Sequence, residues 1–381
     1  MGETIETFHV DVDDAVLDDL RDRLRRTRFP DQIEGTGWEY GIPIDYLAEL
    51  VGYWLDQYDW RSHEARLNEL AHFRTSIDGQ SIHFIHARSP HADALPLLIT
   101  HGWPGSVVEF LEVIPRLTHP EAYGGRASDA CHVIAPSLPG YGFSEPPRTP
   151  GWDVRRIAEA FIILMERLGY ARYGAQGGDW GAQVTTRIGA LDPEHCAALH
   201  LNMPIGPRSD DAPLTEEEQA DLAAMQHFQR EEAGYADEQG TKPQTLGVSL
   251  NDSPAGLLAW IVEKFRGWSD CDGHPENCFT RDQLITNVML YWLTQTGASS
   301  ARLYWENRHG SLTESLPFID LPTGVARYPK EILRWPRSWV ERQYNVTRWA
   351  DMPRGGHFAA MEQPELFVDD VCEFLRTVRG G

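Results

Sequence analysis

Gly177-Gly178-Asp179-Trp180-Gly181 follows a short apolar run, Tyr173–Gln176, and opens a helical stretch. Small residues flank a central carboxylate on both sides. This is the pattern of a nucleophile elbow, in which a sharp strand-to-helix turn lifts one side chain above a sheet. Asp179 stands where many elbows carry Ser. A plain glycine-rich turn ahead of a helix would read the same way, so the flanking sequence has to decide.

Upstream, Leu95–Thr100 and Cys131–Ala135 are continuous apolar runs, the pattern of strands buried on both faces of a parallel sheet. An amphipathic helix at about 154–168 separates the second run from Tyr173. Before them, Phe73–Ile77 and Ser81–Ala87 flank Asp78-Gly79, which predicts a β-hairpin. Strands alternating with helices argue a doubly wound, mostly parallel α/β sheet. The first ~70 residues read as helical instead. Val16, Leu17, Leu20 and Leu24 recur at helical spacing, Asp11–Asp14 put acids at the helix start, and Pro30 is expected to stop it. A second helical stretch, 43–70, is rich in Tyr and Trp, and its apolar face is expected to cover the main domain. From about Pro204 to Gly310 the alternation gives way to helical, aromatic sequence. Val325–Tyr328 and Asn345–Ala350 then resume strand character, and Glu365–Val378 closes as a helix. The expected architecture is an α/β-hydrolase fold with a helical cap. Residues 1–72 form an N-terminal helical segment, 73–204 the first part of the core, 205–310 the cap and 311–381 the second part of the core.

Composition narrows the function classes. Hydrophobic residues make up 41% and charged residues 24% of the 381, as in ordinary globular chains. No stretch approaches the ~20 apolar residues of a membrane helix. The N-terminus lacks a signal-peptide pattern, so a soluble, cytoplasmic protein with no membrane partner is expected. With 34 Lys+Arg against 57 Asp+Glu the net charge is −23, which repels phosphate backbones and argues against nucleic acid. The five cysteines, at 131, 196, 271, 278 and 372, form no CxxC pair. Cys271 and Cys278 lack further ligands at zinc-finger spacing, so no metal is expected.

The chemistry then follows from residue types. A carboxylate, with an ordinary pKa of about 3.9, is already charged at neutral pH. It attacks carbonyls poorly but can open a strained epoxide or an alkyl halide, leaving an alkyl ester of the enzyme. Hydrolysis of that ester needs a base to activate water. His101-Gly102-Trp103-Pro104-Gly105-Ser106 follows the Leu95–Thr100 strand. In this architecture such a loop supplies one backbone N–H of an oxyanion hole and the residue after the nucleophile supplies the other. Here these are Trp103 and Trp180. His101 reads as a structural loop histidine. His357, in Gly355-Gly356-His357-Phe358 after the last strand, occupies the position of the base. An acid must orient it, and the chain order nucleophile, acid, His leaves Glu306, Asp320, Glu331 and Asp351. Asp351 leads into the same loop as His357 and is poorly placed to reach across. Glu331, just beyond the Val325–Tyr328 strand, is the choice. Opening an epoxide also needs a proton donor for the ring oxygen, a role for tyrosine. Thirteen Tyr are present, and chemistry alone does not choose among them.

Taken together the motifs resemble the microsomal type of epoxide hydrolase, an α/β-hydrolase family with a distinctive N-terminal segment. The matching stretches are HGWPGS at 101–106, PSLPGYGFSEPP at 136–147, GGDWG at 177–181 and GGHFAAMEQPEL at 355–366. LNDSPAGLLAWIVEKF at 250–265 and FHVDVDDAVLDDLRDRLRRTRFPDQ at 8–32 are similar too, so the likeness spans nearly the whole chain. The resemblance implies Asp179 as nucleophile, Glu331 in YPKE as the relay acid and His357 as base. It further implies Tyr304 in RLYWEN and Tyr235 in EEAGYADEQ as the cap phenols that hold the ring oxygen. No cofactor or metal is implied. The N-terminal segment of the family closes over the site region, with Trp38, Tyr53, Trp54 and Trp60 as candidate contacts. Membrane-bound members begin with a hydrophobic anchor, whereas this chain resembles soluble bacterial and fungal ones. The expected reaction is epoxide plus water to vicinal diol, on a small-molecule epoxide for which the aromatic content hints at aryl or bulky groups. Detoxification and biosynthetic roles both fit, and a homodimer stays open. A haloalkane or haloacid dehalogenase would share the Asp nucleophile and could hold halide with the Trp180 indole. A non-catalytic ligand-binding member would lack part of the nucleophile–acid–base set.

Overall fold

The computed structural model describes residues 4–209, 213–310 and 314–379. Nine strands among them form one sheet: β1 Ile5–Phe8, β2 His72–Ile77, β3 Gln80–Ala87, β4 Leu95–Thr100, β5 Cys131–Pro136, β6 Tyr173–Gly177, β7 Cys196–Leu201, β8 Ile319–Arg327 and β9 Tyr344–Asp351. Their order is β1-β2-β3-β5-β4-β6-β7-β8-β9. The first three pairings are antiparallel. From β5 through β9 the sheet is parallel. The hairpin of β2 and β3 turns at Asp78 and Gly79, both at positive φ. Two successive positive φ values match the right-handed twist of the flanking strands.

The parallel strands are buried almost throughout. Leu97, Leu98, Ile99, Val133, Ile134, Ala175 and Leu199 are shielded from water on both faces, which is why they read as continuous apolar runs. The helix Val154–Arg167 is capped by Asp153, whose side chain accepts from the N–H groups of Arg155 and Arg156. It buries Ile157, Phe161 and Leu164, residues at i, i+4 and i+7. The closing helix, Pro364–Arg379, spans the expected 365–378.

The N-terminus differs from its sequence reading in three ways. It is not helical from the start, because β1 pairs with β2 and extends the sheet. The first helix, Asp14–Arg25, is capped by Asp13 and ends at Arg26, well before Pro30, so the proline does not stop it. Residues 43–70 hold two helices, Ile44–Asp56 and Trp60–Leu67. Asp14–Arg25 and Ile44–Asp56 pack against Pro254–Trp268, and Ile44–Asp56 also meets Arg281–Leu293. This apolar face therefore covers helices of the segment between β7 and β8. Trp38 lies under Arg266, Tyr53 donates a hydrogen bond to Asp282 at 2.8 Å, and Trp54 and Trp60 are buried. Among the described contacts, none of these four aromatics reaches Asp179.

Between β7 and β8 the described residues form six α-helices: Glu216–Glu231, Gly234–Thr241, Pro243–Asp252, Pro254–Trp268, Arg281–Leu293 and Gly297–His309. The ends of β4, β6, β8 and β9 lead into the segments carrying Trp103, Asp179, Glu331 and His357. In open parallel sheets these carboxyl ends are where ligands bind. No helix among the described residues is long and apolar enough to cross a membrane.

Candidate active site

Asp179 sits at φ 51°, in the left-handed region that non-glycine residues rarely occupy. Such backbone costs about 1–3 kcal/mol and persists only where its surroundings fix it. Here they do. A Cβ on Gly181 would lie 1.9 Å from the carbonyl oxygen of Thr100, so β4 and the elbow approach as only glycine allows. A Cβ on Gly102 would lie 2.0 Å from Asp179 Oδ1, so the loop after β4 closes directly on the carboxylate. The same loop turns the backbone N–H of Trp103 onto Asp179 Oδ1 at 2.8 Å. Trp180 is the second residue of the helix Asp179–Leu191, so its N–H is one of the four without an intrahelical acceptor.

His357 Nε2 lies 3.3 Å from Asp179 Oδ2, and its Nδ1 lies 2.6 Å from Glu331 Oε1. The histidine and the glutamate are both buried. Glu331 lies in a loop, not at a helix start, and is tied to the His357 loop by the N–H of Lys330 on the carbonyl of Gly355 at 3.1 Å. The His357 N–H is held by the carbonyl of Trp268 at 2.9 Å. Glu362 accepts the N–H groups of Phe358 and Asp270, closing the loop from the other side. Burial disfavours protonation of His357, but the carboxylates of Glu331 and Asp179 outweigh it and hold its pKa well above the usual imidazole value.

The other candidates are engaged elsewhere. His101 Nε2 accepts the N–H of Leu138 at 3.2 Å while Nδ1 faces the carbonyl of Gly102 at 2.9 Å, which fixes a neutral tautomer. Burial lowers its pKa to about 4. Asp351 pairs with Arg327, Glu306 accepts the N–H of Gly151, and Asp320 is exposed.

Tyr235 and Tyr304 are brought to the same place from two helices. Their rings lie 5.7 Å apart, edge to face. Tyr235 stacks on Trp103 at 5.0 Å, and Tyr304 meets Trp180 at 4.9 Å and Trp103 at 5.8 Å, so both phenols sit over the residues flanking Asp179. Burial, followed for Tyr235 by the charge of Asp179, raises both above the ordinary phenol range, so they stay protonated as donors. Trp268 was not singled out in the sequence. Its ring packs edge-on against His357 at 5.0 Å and lies tilted against Tyr235 at the same distance. Trp268 lies three residues past the 250–265 stretch that carries part of the resemblance.

The family model for the epoxide hydrolase N terminus matches residues 5–110, and the model for the alpha/beta hydrolase fold matches residues 96–251. A relative in Stigmatella aurantiaca (strain DW4/3-1) is 49% identical over 98% of this chain and 86% of its own length. Epoxide hydrolase 1 of Oryctolagus cuniculus is 38% identical, covering 99% of this chain and 90% of its own. The chain belongs to the epoxide hydrolase family. The crystal structure of juvenile hormone epoxide hydrolase from the silkworm Bombyx mori superimposes with a TM-score of 0.92 at 35% identity, over 99% of this chain and 95% of that one. An epoxide hydrolase adds water across a strained ether to give a vicinal diol. The arrangement here offers such a reaction a carboxylate, a histidine–glutamate pair behind it, backbone donors beside it and two phenols above it. Among the described residues no cluster of His, Cys, Asp or Glu is arranged to hold a metal ion.

Proposed function

We propose that this epoxide hydrolase works in two steps through a covalent ester on Asp179. The observation that carries the reading is the line Glu331–His357–Asp179, with the Trp103 N–H on the far oxygen of the same carboxylate. That N–H engages Oδ1, which leaves Oδ2 to attack an epoxide carbon. The C–O bond of the ring breaks and the oxygen takes a proton from the Tyr235–Tyr304 pair. Esterification removes the negative charge of Asp179, one of the causes that hold the His357 pKa up. The pKa of the histidine thus falls, so it sheds its proton more readily and is neutral, free to act as the base, at the moment one is needed. It takes a proton from water as the water oxygen adds to the ester carbonyl carbon. Trp103 and Trp180 N–H groups stabilise the resulting oxyanion, and the diol departs with the former Oδ2.

Residues 205–310 serve as the cap that supplies the phenols, and residues 1–72 strap that cap to the core formed by 73–204 and 311–381. The aromatic wall of Trp103, Trp180, Tyr235, Trp268 and Tyr304 favours an aryl or otherwise bulky epoxide. The compartment we propose is the cytoplasm, on the five cysteines all being free. The two phenols facing Asp179 favour ring opening over halide displacement.

The test is a single turnover of styrene oxide in 18O-labelled water with enzyme in excess, wild type beside Asp179→Ala. The expected diol comes from wild type alone and is unlabelled, its new oxygen having come from Asp179. Labelled diol, or diol undiminished in Asp179→Ala, would overturn the covalent route.

A further inference from the structure

Ester hydrolysis consumes a water, and the structure holds a space of the right size for one. A cavity of about 20 Å³ lies against Asp179 and His357, with Glu109, Gln176 and Asn202 among its walls. Roughly 10–15 Å³ suffices for one water, given polar partners. Sites for small organic ligands are larger by more than an order of magnitude, at about 300 Å³ and above. Neither Tyr235 nor Tyr304 borders the space, whereas an epoxide oxygen has to reach both. The cavity is therefore placed and sized for the water rather than for the epoxide.

Glu109 is the one acid in its wall, apart from Asp179. It lies in a short helical turn, Val107–Phe110, whose other three residues are buried and apolar. Its carboxyl folds back onto Gly105, where a Cβ would stand 1.6 Å from Oε1, and accepts the backbone N–H of Ser106. That loop is anchored to the helix Arg281–Leu293. Tyr291 donates to the carbonyl of Gly105 at 2.6 Å, Asn287 to that of Pro104 at 2.8 Å, and Ser106 to Asn287 at 2.7 Å. Glu109 also borders a second cavity of about 270 Å³ beneath the N-terminal segment, together with His63, Arg66 and Thr286. It is thus a wall common to the small space at Asp179 and a larger outer one.

We propose that Glu109 is the water-positioning residue of ester hydrolysis, accepting one O–H of the water while His357 takes the other. The inference rests on the covalent reading given above. The water oxygen bonds to the ester carbonyl carbon and its proton passes to His357 Nε2. The acyl C–O bond then breaks, and the departing diol oxygen takes that proton from His357. Asp179 is released as the acid and loses its proton, which restores the one given up by the phenol pair in ring opening. Glu109 exchanges no proton overall. Burial, then the charge of Asp179, push its pKa up to about 8 against the opposing pull of His357 and the Ser106 N–H. A carboxyl that keeps its proton adds no repulsion beside Asp179 and still offers a carbonyl oxygen as acceptor. Gln offers the same oxygen, whereas Leu has similar bulk and no acceptor.

The experiment is rapid-quench single turnover of styrene oxide with enzyme in excess. Ester on Asp179 is followed by intact mass and diol by chromatography, in wild type, Glu109→Gln and Glu109→Leu. All three should alkylate at rates within about threefold, and Glu109→Gln should hydrolyse its ester within about tenfold of wild type. Glu109→Leu should hydrolyse about 100-fold more slowly and accumulate ester, the low end of what a positioned acid–base partner contributes. Gly105→Ala, which displaces the carboxyl without altering it, should show the same selective defect. Ester turnover at the wild-type rate in Glu109→Leu overturns the inference. So does equal slowing of both steps, which a structural role would give, and so does a Glu109→Gln variant as slow as Glu109→Leu. If no ester forms on Asp179 in any of the proteins, the covalent reading fails and the inference falls with it.

Discussion

Glu331 Oε1 faces His357 Nδ1 at 2.6 Å and at the same time accepts the N–H of Ile332 at 2.7 Å. One oxygen thus orients the imidazole and is itself fixed by the backbone, while Oε2 is buried with no hydrogen-bond partner among the described residues. A Gln at 331 would keep the acceptor but place an NH2 where nothing accepts it, and would remove the charge that most supports protonated His357. We expect Glu331→Gln to slow ester hydrolysis by about 10²–10⁴-fold, the range seen when an orienting acid or a general base is lost. His357→Gln should alkylate and then stall. Intact mass after mixing with styrene oxide checks both, since each should carry one diol-forming adduct per chain. Unmodified protein in both variants would place the defect before the ester.

The phenols should divide the first step between them. Their edge-to-face contact at 5.7 Å lets both point at one oxygen, so either can partly replace the other. Tyr304→Phe and Tyr235→Phe are each expected to lower the alkylation rate by about 10–100-fold, and the double variant by more than about 10³-fold. Ester hydrolysis, measured from preformed adduct, should change little. Stopped-flow tryptophan fluorescence reports the alkylation, because Trp103 contacts both rings and Trp180 contacts that of Tyr304. A double variant no slower than the singles would show that only one phenol donates.

The parts of this molecule that the sequence disclosed are those whose chemistry is local. Asp179 is marked by the glycines a tight turn demands, and His357 and Glu331 by their position just past a strand. What escaped the sequence was set by tertiary partners. Ile5–Phe8 is only four residues long and becomes a strand because β2 offers it an edge. Cys196–Leu201 is a strand with a histidine inside it, His200, which is tolerable only because Asp370 from the last helix lies 3.0 Å away. The apolar face of 43–70 pointed to burial but not to its partner, the helices between β7 and β8. Glu109 carried one usable signal, a lone acid within Ser106-Val107-Val108-Glu109-Phe110-Leu111. Nothing in that run told which side of it would meet Asp179.

A partly buried ion cluster couples the helices between β7 and β8 to the loop of Glu331. Asp221, on Glu216–Glu231, is buried and binds Arg327 at the end of β8 and Arg334 at 2.7 Å, three residues past Glu331. Removing one member of a fully buried pair costs about 3–5 kcal/mol; here the cost is smaller, because both arginines are partly exposed and Arg327 keeps Glu217 and Asp351. Asp221→Ala should therefore lower the melting temperature by a few degrees. Differential scanning calorimetry measures it. Ester hydrolysis should weaken as well, as Glu331 loses a neighbour that holds its loop. A melting temperature within a degree of wild type would mean that the two arginines find water or other acids at no cost.

Glu109 gives the fold a pH dependence whose sign can be worked out. Its pKa is about 8 in the folded chain, against an ordinary 4.5. The folded state therefore holds the proton more tightly than the unfolded one, and stability falls as pH rises between those values. Below the lower value both states are protonated, and above the upper one both are ionised, so the change is confined to that window. His357 acts in the same direction, its raised pKa adding stability that fades as pH climbs through the folded value. The two are separated by Glu109→Gln, which cannot ionise at this position and leaves His357 in place. Plotted against pH from about 4 to 9, the melting temperature of Glu109→Gln minus that of wild type should rise across the window and level off beyond it. A flat difference would mean that Glu109 ionises like an ordinary surface carboxylate, with water reaching it freely from the outer cavity.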